Sequence, residues 1–465
     1  MLRYVLNLQY EIMYSGMNGI FSRTTTLILM IAAAITLGTS CTSQPTEKPQ
    51  AKDFVKVENG QFIRNGKPYY FVGTNFWYGA ILGSQGEAGD RERLVKELDM
   101  LKSMGVDNLR ILVGGDGNNG VPLRIEPTLQ TAPGVYNEEL LDGLDYLLME
   151  MGKRDMTAVL YLNNSWEWSG GYTQYVAWAN GTDVPVPTPG SEGWDGEGWA
   201  RYMASARTFV RDERAKELFY DHVRFIVSRT NSYTDVRYID DPTIFSWQIG
   251  NEPRAFDPEN KELFAEWILQ SAKLIRELDP NHLISTGSEG YHGCEQDIEL
   301  CQKIHAYDEI GYINCHVWPY NWKWIDEENM GEQLPTACEN TKQYIAMHID
   351  VAEAINKPLV VEEFGFPRND MNYAKQSNTS YRDTYYGYVF DMVKQSAAEG
   401  GKFAGCNFWG WGGHAEKIAD DYKWAHGYDY TGDPAQEPQG CNSVFADDST
   451  TIELIKLTNE TLANR

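Results

Sequence analysis

Eight short apolar runs that alternate with amphipathic segments predict a (β/α)8 barrel, an α/β fold in which one catalytic domain occupies residues 53–465. Two observations favour the barrel over an open, doubly wound sheet. The first run ends in Phe76-Trp77-Tyr78, where the open sheet would need a glycine-rich phosphate turn. Polar and charged residues also gather at the ends of several runs, and a barrel brings all those ends to one mouth.

In order, the predicted strands are Tyr69 to Trp77, Asn108 to Leu112, Thr157 to Asn163, Thr243 to Gly250, Leu283 to Thr286, Tyr312 to Val317, Leu359 to Glu363 and Cys406 to Trp409. The segments between them carry helical periodicity, as in Arg91 to Met104, where Leu94, Leu98 and Leu101 share a face. Ahead of the barrel, residues 1–41 read as an export signal. Leu27 to Leu37 follows Arg23 as an apolar stretch of signal length, too short to span a bilayer comfortably. Gly38-Thr39-Ser40-Cys41 resembles a bacterial lipobox, whose cysteine is lipidated and becomes the mature N-terminus. The expected address is the cell envelope through a lipid on Cys41, with ordinary cleavage and secretion as the alternative. Residues 42–52 are polar, contain two prolines and read as a flexible linker.

Composition narrows the ligand. A formal net charge of -26 argues against nucleic acid, because phosphate neutralisation requires a surface rich in Lys and Arg. Aromatic residues make up 13% of the chain, with 14 tryptophans, and flat indole faces suit sugar rings. Six cysteines beyond Cys41 permit disulfides in an oxidising compartment without revealing a pairing. With no Cys-x-x-Cys pair and no histidine cluster, neither a metal nor a cofactor is expected.

The chemistry concentrates at two strand ends. Trp247-Gln248-Ile249-Gly250-Asn251-Glu252-Pro253 closes the fourth run in an amide and a carboxylate, and Leu359-Val360-Val361-Glu362-Glu363-Phe364-Gly365 closes the seventh in two carboxylates. A pair of carboxyls across a barrel mouth is what glycosidic bond cleavage requires. One protonates the leaving oxygen, while the other attacks the anomeric carbon or activates water. Arg110, a charge inside an apolar strand, needs an opposite charge, and Glu363 is the candidate that it would keep ionised. Asn251 is placed to hydrogen-bond a sugar 2-hydroxyl, and His316 a carboxylate or a sugar hydroxyl. Trp409 or Trp411 would floor the reacting sugar, and Trp77 ends the first strand at the same mouth. Asn163 and Trp166 open a long loop after the third strand, which continues through Gln174, Trp178, Trp194 and Trp199 and would wall a cleft.

These motifs together resemble glycoside hydrolase family 5, and within it the endo-β-1,4-mannanase branch. The resemblance rests on Asn108-Leu109-Arg110, Leu162-Asn163-Asn164, Gly250-Asn251-Glu252-Pro253, His316, Glu363-Phe364-Gly365 and Phe408-Trp409-Gly410-Trp411-Gly412. Gly432-Asp433-Pro434 with Glu437-Pro438-Gln439-Gly440 also looks like mannanase sequence. The resemblance implies Glu252 as acid/base, Glu363 rather than Glu362 as nucleophile, and a retaining double displacement. One position departs from the family pattern of His-x-Tyr on the sixth strand, since this chain has His316-Val317-Trp318. The tyrosine's place is left to Trp318, to Tyr320 or to no residue.

The resulting expectation is a monomeric retaining endo-β-1,4-mannanase acting on mannan, galactomannan or glucomannan, touching membrane only through its lipid. A β-1,4-glucanase, or an exo-acting β-mannosidase or mannobiohydrolase, would use the same scaffold. From another class, a non-catalytic glycan-binding lipoprotein would not need both carboxylates.

Overall fold

The apolar runs fold as strands buried on both faces, as expected where a barrel strand has side chains inside and helices outside. The computed structural model describes residues 53–186 and 197–464, so the export signal, Cys41, the linker up to residue 52 and Trp194 lie outside the described residues. The strands are β1 (Phe71–Asn75), β2 (Asn108–Leu112), β3 (Thr157–Tyr161), β4 (Ile244–Gln248), β5 (Leu283–Ser285), β6 (Ile313–Val317), β7 (Leu359–Phe364) and β8 (Phe403–Phe408). After them come α1 (Arg91–Ser103), α2 (Glu138–Lys153), α3 (Glu213–Val227), α4 (Lys261–Leu278), α5 (Ile298–Ala306), α6 (Met330–Ile355), α7 (Ser380–Glu399) and α8 (Ser449–Ala463). Helix α1 starts where Asp90 accepts a hydrogen bond from the Arg93 N–H, and it buries Leu94, Leu98 and Leu101 completely.

The eight strands are parallel and ordered β5-β4-β3-β2-β1-β8-β7-β6. Between β5 and β6 the ring closes differently. The Gly311 N–H reaches the Ile284 carbonyl at 2.7 Å. The Asn314 side-chain oxygen accepts from the Thr286 N–H, the Thr286 hydroxyl and the Gly287 N–H at 2.9 to 3.0 Å.

At the opposite end from the mouth, Lys56–Glu58, Gln61–Arg64 and Lys67–Pro68 form a small antiparallel sheet. It drives Phe62 into the barrel floor, edge-on to Phe245 and Tyr312 at 5.1 and 5.3 Å between ring centres. The predicted first strand loses two residues at each end. Strand β8 begins three residues earlier than predicted, because Ala404 and Gly405 belong to it without offering a bulky apolar signal. Gly405 lies so close to the Phe71 ring that a β-carbon would meet it at 2.7 Å.

A bulge in β7 matters most for the site. Cys315 lies opposite Val361 and His316 opposite Glu363, so Glu362 is an extra residue, and the register to β8 slips at the same place. The bulge breaks strict alternation and gives both consecutive glutamates partners inside the barrel. The six described cysteines are all free and buried. No described helix is long and apolar enough to cross a membrane.

Candidate active site

The site is built around Arg110, which is fully buried on β2 and satisfied on every side. Its Nη1 contacts Glu363 Oε1 at 2.5 Å and Asn75 Oδ1 at 3.0 Å, Nε donates to Gln248 at 2.8 Å, and Nη2 donates to Asn251 at 2.7 Å. Gln248 passes the network on to Glu362 at 2.6 Å, whose other oxygen accepts from the Tyr312 hydroxyl at 3.0 Å. The predicted partner of Arg110 is therefore in place, but Arg110 lies behind the carboxylate and does not line the cavity above it.

Glu252 follows β4 with φ at +48°, in the left-handed region that costs a side-chain-bearing residue of order 1–3 kcal/mol unless its surroundings hold it there. Here they do so at both backbone groups. Its N–H donates to the Gly287 carbonyl at 2.9 Å, and its carbonyl accepts from the Ser165 hydroxyl at 2.7 Å. The carboxyl meets the Trp166 indole N–H on one oxygen and His316 Nδ1, 2.8 Å away, on the other. The same His316 nitrogen is 3.4 Å from Glu363 Oε2, and an oxygen of Glu252 lies within 4.8 Å of one of Glu363.

Electrostatics sets the two carboxyls apart. Burial pushes both above the ordinary carboxylate value. Arg254 is the main opposing influence on Glu252, and Arg110 on Glu363. Of the pair, Glu363 has the direct guanidinium contact, which favours its charged form, whereas no cation touches the Glu252 carboxyl. Burial, with Arg110 next, holds His316 well below the ordinary histidine value, leaving a neutral ring. Glu252, His316 and Glu363 also have the donor types and spacing of a cation site, although Arg110 already supplies positive charge at Glu363.

Above them opens a cavity of about 220 Å³. Trp166, Asn251, Trp318 and Trp409 line it, as does Trp199 from the long loop after β3. Trp318 stands edge-on to Trp409 with ring centres 6.0 Å apart, and Gly365 makes room for it, since a β-carbon there would meet the indole at 2.7 Å. Tyr320 points elsewhere, its hydroxyl donating to Glu327 at 2.8 Å, so of the two candidates only Trp318 lines the cavity.

Besides Arg110 and His316, which act behind the carboxyls, Trp77, Trp411 and Asn163 lie outside the cavity wall. Trp77 is buried between Trp168 and Tyr430 and donates to the Gly432 carbonyl at 2.9 Å. Trp411 is carried into the core by a short strand, Trp411–Gly413, that pairs with Val444–Phe445, and its indole donates to Glu97 of α1 at 2.9 Å. Asn163 turns to Asp116 at 3.3 Å, while the next residue, Asn164, accepts from the Asn251 side chain at 3.1 Å.

Across residues 52–465 the sequence matches the family model described as GH family 5 beta-mannosidase-like. The chain belongs to glycoside hydrolase family 5. This family 5 hydrolase is 33% identical to the solved glycoside hydrolase family 5 mannosidase from Rhizomucor miehei, with a TM-score of 0.79 over 88% of this chain and 98% of that one. A variant of that enzyme solved in complex with mannosyl-fructose gives 34% identity and a TM-score of 0.80, covering 88% of this chain and 97% of that one. Among plant proteins, mannan endo-1,4-beta-mannosidase 3 of Arabidopsis thaliana is 29% identical over 404 residues, 82% of this chain and 87% of the relative.

The family 5 site also contains Arg254, Glu289, Trp322 and Gln436, which no motif marks, together with Pro434 and Glu437 of the late mannanase-like run. Arg254 and Glu289 are ion-paired at the cavity, and Trp322 lines it. Pro434, Gln436 and Glu437 close another side, on a loop held by Asp433, whose carboxylate accepts the N–H groups of Gly440, Asn442 and Ser443 at 2.8 to 3.2 Å. Glu437 is pushed up to about 8 by burial and by neighbouring acids, and one of its oxygens has no partner.

Proposed function

We propose that this chain hydrolyses internal β-1,4-mannosidic bonds of mannan, galactomannan or glucomannan by double displacement with retention. The observation that carries the reading is the approach of Glu252 and Glu363 to within 4.8 Å. Retaining enzymes hold their carboxyls about 5–5.5 Å apart, whereas inverting ones leave about 6.5–9.5 Å for a water. Glu363 attacks the anomeric carbon as the glycosidic C–O bond breaks, and Glu252 gives its proton to the departing oxygen. Glu252 then takes a proton from water, whose oxygen displaces Glu363 from the same carbon. Trp409 and Trp318 face the reacting sugar with apolar surface, and Asn251 offers its remaining amide hydrogen.

One set of observations favours a second reading, release of sugars from a chain end. Pro434, Gln436 and Glu437 wall the cavity, Glu437 offers an unpartnered oxygen to a hydroxyl, and the solved mannosidase gives a TM-score of 0.79. Viscosity and reducing ends followed together on soluble galactomannan distinguish the two. Internal cleavage drops viscosity early and yields mixed oligosaccharides, whereas mannose or mannobiose alone at early times overturns the endo reading.

We also propose that the lipid on Cys41 anchors the enzyme at the cell envelope, a reading supported by the lipobox-like sequence before it. Cys41→Ala is expected to move the protein from the membrane fraction to the soluble one; unchanged fractionation would rule the anchor out.

A further inference from the structure

We propose that Glu289 is a positioning residue that sets the proton affinity of Glu252 by restraining and partly neutralising Arg254. The proposal rests on the functional reading above, in which Glu252 is the acid/base.

Glu289 stands on the loop after β5 and is 2% exposed. Its carboxylate receives both Nε, at 2.5 Å, and Nη2 of Arg254. The backbone of Glu289 is fixed as well, since its carbonyl accepts from the Tyr344 hydroxyl at 2.6 Å and from the His316 N–H at 3.3 Å. Arg254, thus held, lies with its guanidinium carbon 5.1 Å from the Trp166 ring, and Trp166 is the indole that donates to Glu252. The same loop binds the Glu252 N–H through Gly287. One short segment therefore holds the backbone of the acid/base, the cation beside it and, through that cation, the indole on its carboxyl.

The charge logic follows from this arrangement. Arg254 is the largest influence pulling Glu252 toward its ionised form, and an acid catalyst must keep its proton. A carboxylate paired with Arg254 weakens that pull, and Glu289 adds its own repulsion toward a charge on Glu252. The other groups facing Glu252 are Arg110 on β2, Tyr161 on β3, His316 on β6, Glu363 on β7 and Glu437 on the loop after β8. None of these contacts the Arg254 guanidinium, whereas Glu289 binds it through two nitrogens.

The test is the pH profile of kcat/KM on mannotriose, whose alkaline limb reports loss of the Glu252 proton. Glu289→Gln should move that limb to lower pH by roughly 0.5–1 unit. Arg254→Met should move it to higher pH, and the double variant should stay close to Arg254→Met, because Glu289 acts chiefly through the arginine. A 2,4-dinitrophenyl β-mannoside, whose leaving group needs no protonation, should show no such displacement. If Glu289→Gln lowers kcat/KM with the limb unmoved or raised, the residue is merely structural and the proposal fails. Should Glu289→Gln fail to fold, the direction of the Arg254→Met shift decides in its place, and an unmoved or lowered limb overturns the proposal. A wild-type chain that releases no sugar from mannotriose or mannan overturns the functional reading itself and, with it, this one.

Discussion

Glu363→Ala is expected to lower kcat/KM on mannan by at least about 10⁴-fold, equivalent to about 5.4 kcal/mol of lost transition-state stabilisation. The size follows from the role: without the carboxylate no glycosyl-enzyme forms, and Glu252 alone cannot supply both face and charge. Glu252→Ala should fall by a similar factor on mannan but much less on an aryl mannoside with a good leaving group, because only the natural substrate needs its proton. Peptide mapping after a 2-deoxy-2-fluoromannosyl fluoride should find the label on Glu363. Near-normal activity of the Glu363 variant, or a label on Glu362 instead, would sink the assignment.

The next largest effect is expected of Arg110→Met. Removing one partner from a buried ion pair leaves a charge uncompensated, at a cost of about 3–5 kcal/mol. Two carboxyls are exposed to that loss, Glu363 at 2.5 Å and Glu362 at 3.8 Å, and Arg110 has no access to water that would soften it. The pH dependence has a definite sign. Both glutamates have folded-state values above the ordinary 4.5, so the stability linked to their protonation is present at low pH and lost as pH rises through those values. Without Arg110 the folded-state values rise further, so the stability gap to wild type should widen as pH rises through the wild-type folded-state values, which already lie above 4.5. Urea unfolding at pH 4 and pH 8 measures this, and a gap of constant size would show that the carboxylates are not what Arg110 serves.

Much of this site could be read from the sequence because its residues are costly where they stand. A charge within Asn108-Leu109-Arg110-Ile111-Leu112 demands a partner, and carboxylates at the ends of apolar strands have few bland explanations. Indoles carry no such mark. Trp409 and Trp411 sit two residues apart in a glycine-rich run, and only the turn into a short parallel pairing sends the second to Glu97. Glu289 lies in Gly287-Ser288-Glu289-Gly290, which carries no motif, and Glu437 lies in the late mannanase-like run, where only the resemblance and no local rule marks it. What buries them is tertiary: the ion pair with Arg254 in one case and the loop gathered by Asp433 in the other. The bulge at Glu362 has no local signature either, although it decides that two successive glutamates both serve the interior.

The seam between β5 and β6 has a mechanical consequence. Seven joints of the ring are laddered backbone, but the eighth relies on isolated backbone bonds and on one carboxamide, Asn314, where three groups of the neighbouring segment converge. That segment continues through Gly287, which holds the Glu252 backbone, to Glu289, which holds Arg254. The barrel thus has a clasp, and Glu252, which leaves the hoop at the end of β4, is tied to that clasp through its N–H.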